Sequence, residues 1–169
     1  MMRDNNHNQL FLIAGWSAYA SAVASIVGLA PFVTLFVFGL DLPGLNDAAA
    51  IVQYLLALPI TLALHSLLRI HAPLPSKLAM LIGILGILAL AVVQLLVIAR
   101  VLSWVIVGVP TLMIGVWLVM TGYLGRSTGK LPHGLLMSIL AATYFGYPIW
   151  AIWLGRLLLA GREMTFAKQ

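Results

Sequence analysis

Polar residues fall in a few short clusters along this chain, and the apolar stretches between them are longer than a soluble core element needs. A membrane-spanning helix takes about 20 apolar residues at about 1.5 Å rise each. The first stretch, Leu10 to Leu40, carries no charge. It is too long for one upright span and too short for two. Pro31 divides it, and proline kinks a helix by removing a donor and crowding the preceding turn. The pattern predicts a span over 10–30 with a kinked continuation to 40 that tilts or lies at the interface.

Asp41-Leu42-Pro43-Gly44 reads as a turn, and Asp47 as the N-cap of a second helix over 48–68, with Pro59 at its middle. His71-Ala72-Pro73-Leu74-Pro75 is a tight connection to a third helix over 77–99. Arg100 interrupts the next apolar run, so the chain is expected to turn between Arg100 and Ser103. A fourth helix follows over 104–124, then a polar loop from Arg126 to His133. A fifth helix over 135–158 ends in a short basic tail. The expected fold is an all-α integral membrane bundle of about five transmembrane helices with short loops, forming one domain over 1–169.

Composition narrows the classes further. The chain is 63% hydrophobic and 8% charged, against about 45–50% and about 25% in ordinary soluble domains. That excludes a soluble enzyme, a disordered chain and a nucleic-acid binder. Nine Lys+Arg against four Asp+Glu give a net charge of +5. These bases sit at the ends of apolar runs, where they set topology, with lipid headgroups as counter-charges. The absence of cysteine removes disulfides, thiolate chemistry and cysteine-based metal sites. Ala18-Tyr19-Ala20 and Ala22-Val23-Ala24 imitate signal-peptide cleavage patterns. However, Arg3 and Asp4 cancel and the apolar run is too long, so the segment is expected to stay as the first span.

Five spans place the termini on opposite sides. With the N-terminus inside, Arg3, Arg69, Lys77, Arg126 and Lys130 lie inside, and Arg100, Arg156, Arg162 and Lys168 lie outside. Both inner loops are basic and the first outer loop is acidic, which favours this orientation, while the basic tail opposes it. Trp104, Trp150 and Trp153 would form the outer aromatic belt and Tyr123 the inner one. A shared pattern, L-P-x-x-L-x-M-x-I, starts at Leu74 and at Leu131. It reads either as a hairpin repeat of the kind transporters use or as the common use of Pro at helix starts.

Ser17, Ser21 and Ser25 recur every four residues beside Ala14, Ala18 and Ala22, and Gly28 extends the stripe. This is a helix-packing face, used within the chain or between two copies, with Trp16, Tyr19, Val23 and Ile26 on the other face. Gly83 and Gly86 in the third helix, and Gly108 and Gly115 in the fourth, allow similar close approach. No Asp or Glu falls inside an expected span, which counts against proton- or sodium-coupled transport. Gln53, Gln94, Thr61, Thr111 and Thr143 are neutral and suit cross-links between helices.

Arg100 and Arg156 sit near the expected outer boundary, where they can snorkel to headgroups. The sharper alternative is a lipid or anion contact site between the third and fifth helices. His7, His65, His71 and His133 all fall on the inner side without the carboxylates of a zinc or di-iron site. A Ser–His–Asp hydrolase is excluded because Asp41 and Asp47 lie at the opposite face from these histidines. No catalytic residue, metal site or cofactor is assigned.

Gly115-Val116-Trp117-Leu118, Gly122-Tyr123-Leu124, Leu131-Pro132 and Tyr147-Pro148-Ile149-Trp150 resemble the C-terminal half of small bacterial polytopic membrane proteins grouped under domains of unknown function. The resemblance covers roughly residues 76–158. It implies a multi-pass protein of the bacterial cytoplasmic membrane and no catalytic residues. Together these readings favour a non-enzymatic scaffold or accessory subunit, in contact with membrane lipids and in a homo-oligomer or larger complex, with no nucleic-acid partner. The alternative is a small transporter or lipid- or ligand-binding bundle, supported by Pro59 and Pro148 near mid-span.

Overall fold

The computed structural model describes residues 2–39, 44–129, 131 and 146–166. Five α-helices account for nearly all of them: α1 (Met2–Phe38), α2 (Leu45–Leu68), α3 (Pro73–Ile98), α4 (Gly108–Ser127, entered through a 3-10 turn at Trp104–Val107) and α5 (Gly146–Phe166). No strand occurs among the described residues. The segments Asn8–Phe38, Leu45–Leu68, Pro73–Ile98 and Val105–Ser127 are long and apolar enough to cross a membrane, and α5 carries a shorter apolar run, Ala151–Ala160.

Several boundaries differ from the sequence expectation for identifiable reasons. α1 does not break at Pro31 but continues to Phe38 as one helix. Pro31 is buried, and Thr34 Oγ1 donates to its carbonyl at 3.0 Å. Asp47 is not the N-cap of α2. Gly44 holds that position in a left-handed conformation with φ 81°, which glycine adopts without strain, so the helix starts early and Asp47 lies in its first turn. A carboxylate there is favoured by the helix dipole. α3 begins at Pro73, a first-turn residue whose missing N–H costs nothing. The expected turn after α3 is present, with Arg100 at φ 58°. The 41–43 part of the first turn and most of the second L-P motif lie outside the described residues.

The helices pack in the order α5, α1, α2, α3, α4, with only slight contact between α2 and α4. Small residues set the approach. The predicted face of α1 is buried throughout: Ala14, Ser17, Ala18, Ser21, Ala22, Ser25 and Gly28. Ser21 Oγ donates to the Gln53 carbonyl of α2 at 3.3 Å, and a Cβ on Gly28 would lie 3.4 Å from Ala49. On the opposite face Trp16, Val23 and Ile26 are exposed, but Tyr19 packs its ring over Gly155 of α5. Between α3 and α4, a Cβ on Gly83 would fall 2.7 Å from the Trp117 ring, and one on Gly86 3.0 Å from Met113 Cβ. The expected close approach at Gly108 and Gly115 is absent, since a Cβ at either meets nothing within 4 Å.

The contact between α1 and α5 fixes the direction of α5. A Cβ on Gly155 would meet the Gly15 carbonyl oxygen at 3.1 Å, and a Cβ on Gly15 would meet the Gly155 carbonyl oxygen at 3.4 Å. Helical carbonyls point toward the C-terminus and Cβ atoms toward the N-terminus. Reciprocal Cβ-to-carbonyl contacts therefore require antiparallel helices. The neighbouring contacts agree, because Gly15 meets Leu159 and Gly155 meets Tyr19. α5 ends beside the start of α1, so the described chain begins and ends at the same end of the bundle. This corrects the five-span expectation of termini on opposite sides. It also places Trp153 near the middle of the bundle rather than in a belt at the far end.

The glycine contacts yield a direct test. Gly83→Ala forces the Trp117 ring to move and should cost about 1–3 kcal/mol. Gly115→Ala, facing open space, should be neutral or up to about 1 kcal/mol more stable. Thermal unfolding of the two variants in detergent should separate them, and equal effects would contradict this packing.

Candidate functional site

Two side-chain pairs hold the α2–α3 hairpin. At one end the Gln94 Nε2 donates to Asp47 Oδ1 at 2.6 Å, a short, charge-assisted bond. At the other, His65 Nδ1 lies 2.8 Å from Ser76 Oγ, which also donates to the His65 carbonyl at 3.2 Å. With one hydroxyl proton, Ser76 serves the carbonyl only when the ring Nδ1–H donates to Oγ. Gln94 and Ser76 are each 2% exposed. The two pairs are eighteen residues apart along both helices, five full turns, which returns each helix to the same face. The distance spanned is about 27 Å, close to the hydrocarbon thickness of about 30 Å.

A crevice of about 690 Å³ opens beside the Asp47–Gln94 pair. α2 lines it with Asn46, Ala50, Gln53, Tyr54 and Ala57, a stripe at helical spacing. Ser25 and Gly28 of α1 and Ile87 and Gln94 of α3 complete one side. Val105, Val107, Gly108, Thr111 and Ile114 form the other side, and Trp117 and Leu118 lie deepest on α4. From Asn46 to Ala57 the depth is about 16 Å, roughly half the length between the two pairs. Below it Trp117, 2% exposed, sits on Gly83.

The sequence treated Gln53, Gln94 and Thr111 as separate cross-links, and the structure brings all three to one crevice. It missed Asn46, Tyr54 and Trp117, although the spacing 46, 50, 53, 54, 57 on one helix face was readable. Thr61 is buried and bonds to the Ala57 carbonyl of its own helix, at 2.9 Å. Thr143 lies outside the described residues. Pro59 does not serve the crevice, because neither it nor Leu55, whose carbonyl it deprives of a donor, is among the lining residues.

Arg100 and Arg156 are not brought together. Arg100 is exposed beyond the end of α3, next to the Asp47–Gln94 end. Arg156 is exposed on α5 beside Gly155, which packs on Gly15 in the opposite half. They are separated by at least about 20 Å along the bundle, and α3 and α5 make no packing contact among the described residues. His65 and His71 stand at the α2–α3 turn, at the end opposite Asp47. No group of three or more His, Cys, Asp or Glu is placed to hold a metal among the described residues.

Each clamp has a measurable cost. Gln94→Leu strands the Asp47 carboxylate and Ser76→Ala strands the His65 ring, so each should destabilise by about 1–3 kcal/mol. Their separation makes the losses additive within about 0.5 kcal/mol in the double variant, and strong coupling between them would contradict two independent clamps. Comparison with family models, curated proteins and solved structures finds no match for this chain.

Proposed function

We propose that this chain is a multi-pass protein of a bacterial cytoplasmic membrane that binds a small amphiphilic molecule in the crevice between α2 and α4. The observation that carries this reading is a crevice that begins at the Asp47–Gln94 pair and stops at Trp117 near mid-bundle. Its volume lies within the range of about 300–1,000 Å³ typical of small-molecule sites. Its walls are mostly apolar with a few amides and hydroxyls, the composition such sites use. The protein acts by binding, as a carrier or presenter, rather than by bond chemistry. A scaffold or accessory-subunit role draws on the short loops, the expected lack of acids within the spans and the small-residue faces, that of α1 among them. That face is already buried within the chain, which leaves the crevice as the feature that distinguishes this bundle.

The charge distribution supports an orientation with both described ends in the cytoplasm. Arg69, Lys77 and Arg126 are exposed at the His65–Ser76 end, and the backbones of Arg3 and Arg162 lie at that end too. Arg100 is the cation at the other end among the described residues. Reversal of α5 thus moves Arg162 to the basic side. By the positive-inside rule the crevice opens away from the cytoplasm.

Binding is tested with 1-decanol on the full chain in nanodiscs, measured against empty nanodiscs. Saturable binding is expected, and Gly108→Trp, whose side chain projects from an open position on the crevice wall, should weaken it at least tenfold while circular dichroism is unchanged. Unaltered binding in that folded variant would refute the crevice. Tags at the N- and C-termini should both be protected inside intact cells, and exposure of either would overturn the orientation.

A further inference from the structure

We propose that the crevice selects a lipophilic ammonium, a molecule with an apolar tail and a protonated amine head. This rests on the crevice reading above and adds the chemistry of the ligand. The Gln94 amide donates one N–H to Asp47, and its carbonyl oxygen stays an acceptor beside the second N–H. The Thr111 hydroxyl donates to the Val107 carbonyl at 2.8 Å, which leaves oxygen lone pairs. At these two positions the polar wall offers acceptors, and an ammonium carries three donors and no acceptor.

Charge points the same way. Among the described residues, no Lys, Arg or His lines the crevice. The Asp47 carboxylate lies one hydrogen bond behind the lining residue Gln94 and is adjacent in sequence to the lining residue Asn46. Tyr54 and Trp117 add aromatic rings to the walls deeper than Asp47, where they suit the apolar tail. The apolar tail fits toward Ala57, Ile87 and Leu118, the deeper and less polar part. A carboxylate of the same length would bring a like charge to Asp47 and no donor.

The test compares decylammonium, 1-decanol and decanoate on the full chain in zwitterionic nanodiscs, against empty nanodiscs. Decylammonium is expected to bind at least tenfold tighter than decanol, with decanoate weakest. Asp47→Asn should collapse the ammonium-to-alcohol ratio to about one, and Asp47→Glu should restore it. Equal binding of ammonium and alcohol to the unaltered chain overturns the proposal while leaving the crevice reading intact. Retention of the ratio in a folded Asp47→Asn variant also overturns it. Saturable binding of none of the three overturns both readings. If Asp47→Asn does not fold, the ratio measured on the unaltered chain decides.

Discussion

The two hydrogen-bonded pairs that join α2 to α3 set the frame from which the other helices hang. Asp47–Gln94 and His65–Ser76 recur after five helical turns on both helices, so they fix one antiparallel register and one contact face. A slip of a single residue would rotate a polar group of each pair away from its partner. In apolar surroundings that leaves buried donors and acceptors unpaired, at about 1–3 kcal/mol each. The apolar residues between the clamps can repack, but the clamps allow only one alignment.

On that frame, side-chain size decides where helices touch and where they part. Gly83 and Gly86 admit Trp117 and Met113, bringing α4 against α3 at mid-bundle. Nearer the Asp47 end, Gly108 faces open space and the chain passes through a 3-10 turn. The crevice is the gap left there, and Trp117 forms its floor. On the other flank Gly15 and Gly155 bring two backbones together and hold α5 against α1. Asn46 and Gln94 thus sit at the mouth and the Trp117 ring deeper, an order that favours a molecule with a polar head and an apolar tail.

The helices were largely legible in the sequence because long apolar runs bounded by polar residues have few other outcomes. Gly83, Gly86 and the Ser/Ala stripe of α1 could be read for the same reason, since small residues at helical spacing have little use except close packing. The direction of α5 was not legible. An apolar run reads the same in either direction, and only the basic tail hinted at reversal. Asp47 looked like a cap because aspartate before an apolar helix commonly is one. The left-handed Gly44 moved the helix start and freed that carboxylate for Gln94. The crevice depends on space that neighbouring helices leave unfilled, which the pattern of any one helix does not reveal.

On the proposed reading the crevice admits solvent from one side and ends at mid-bundle. The chain has no cysteine, so single cysteines can be placed without background. Leu118 lines the crevice, Val116 lies at the same depth but off it and 49% exposed, and Leu64 is buried in the other half. The most direct measurement is labelling of Leu118→Cys, Val116→Cys and Leu64→Cys in sealed membranes with a membrane-impermeant maleimide. The account predicts that only Leu118→Cys reacts, and only from the side opposite the termini. Failure of Leu118→Cys to react from that side, or reaction of Leu64→Cys, would contradict it.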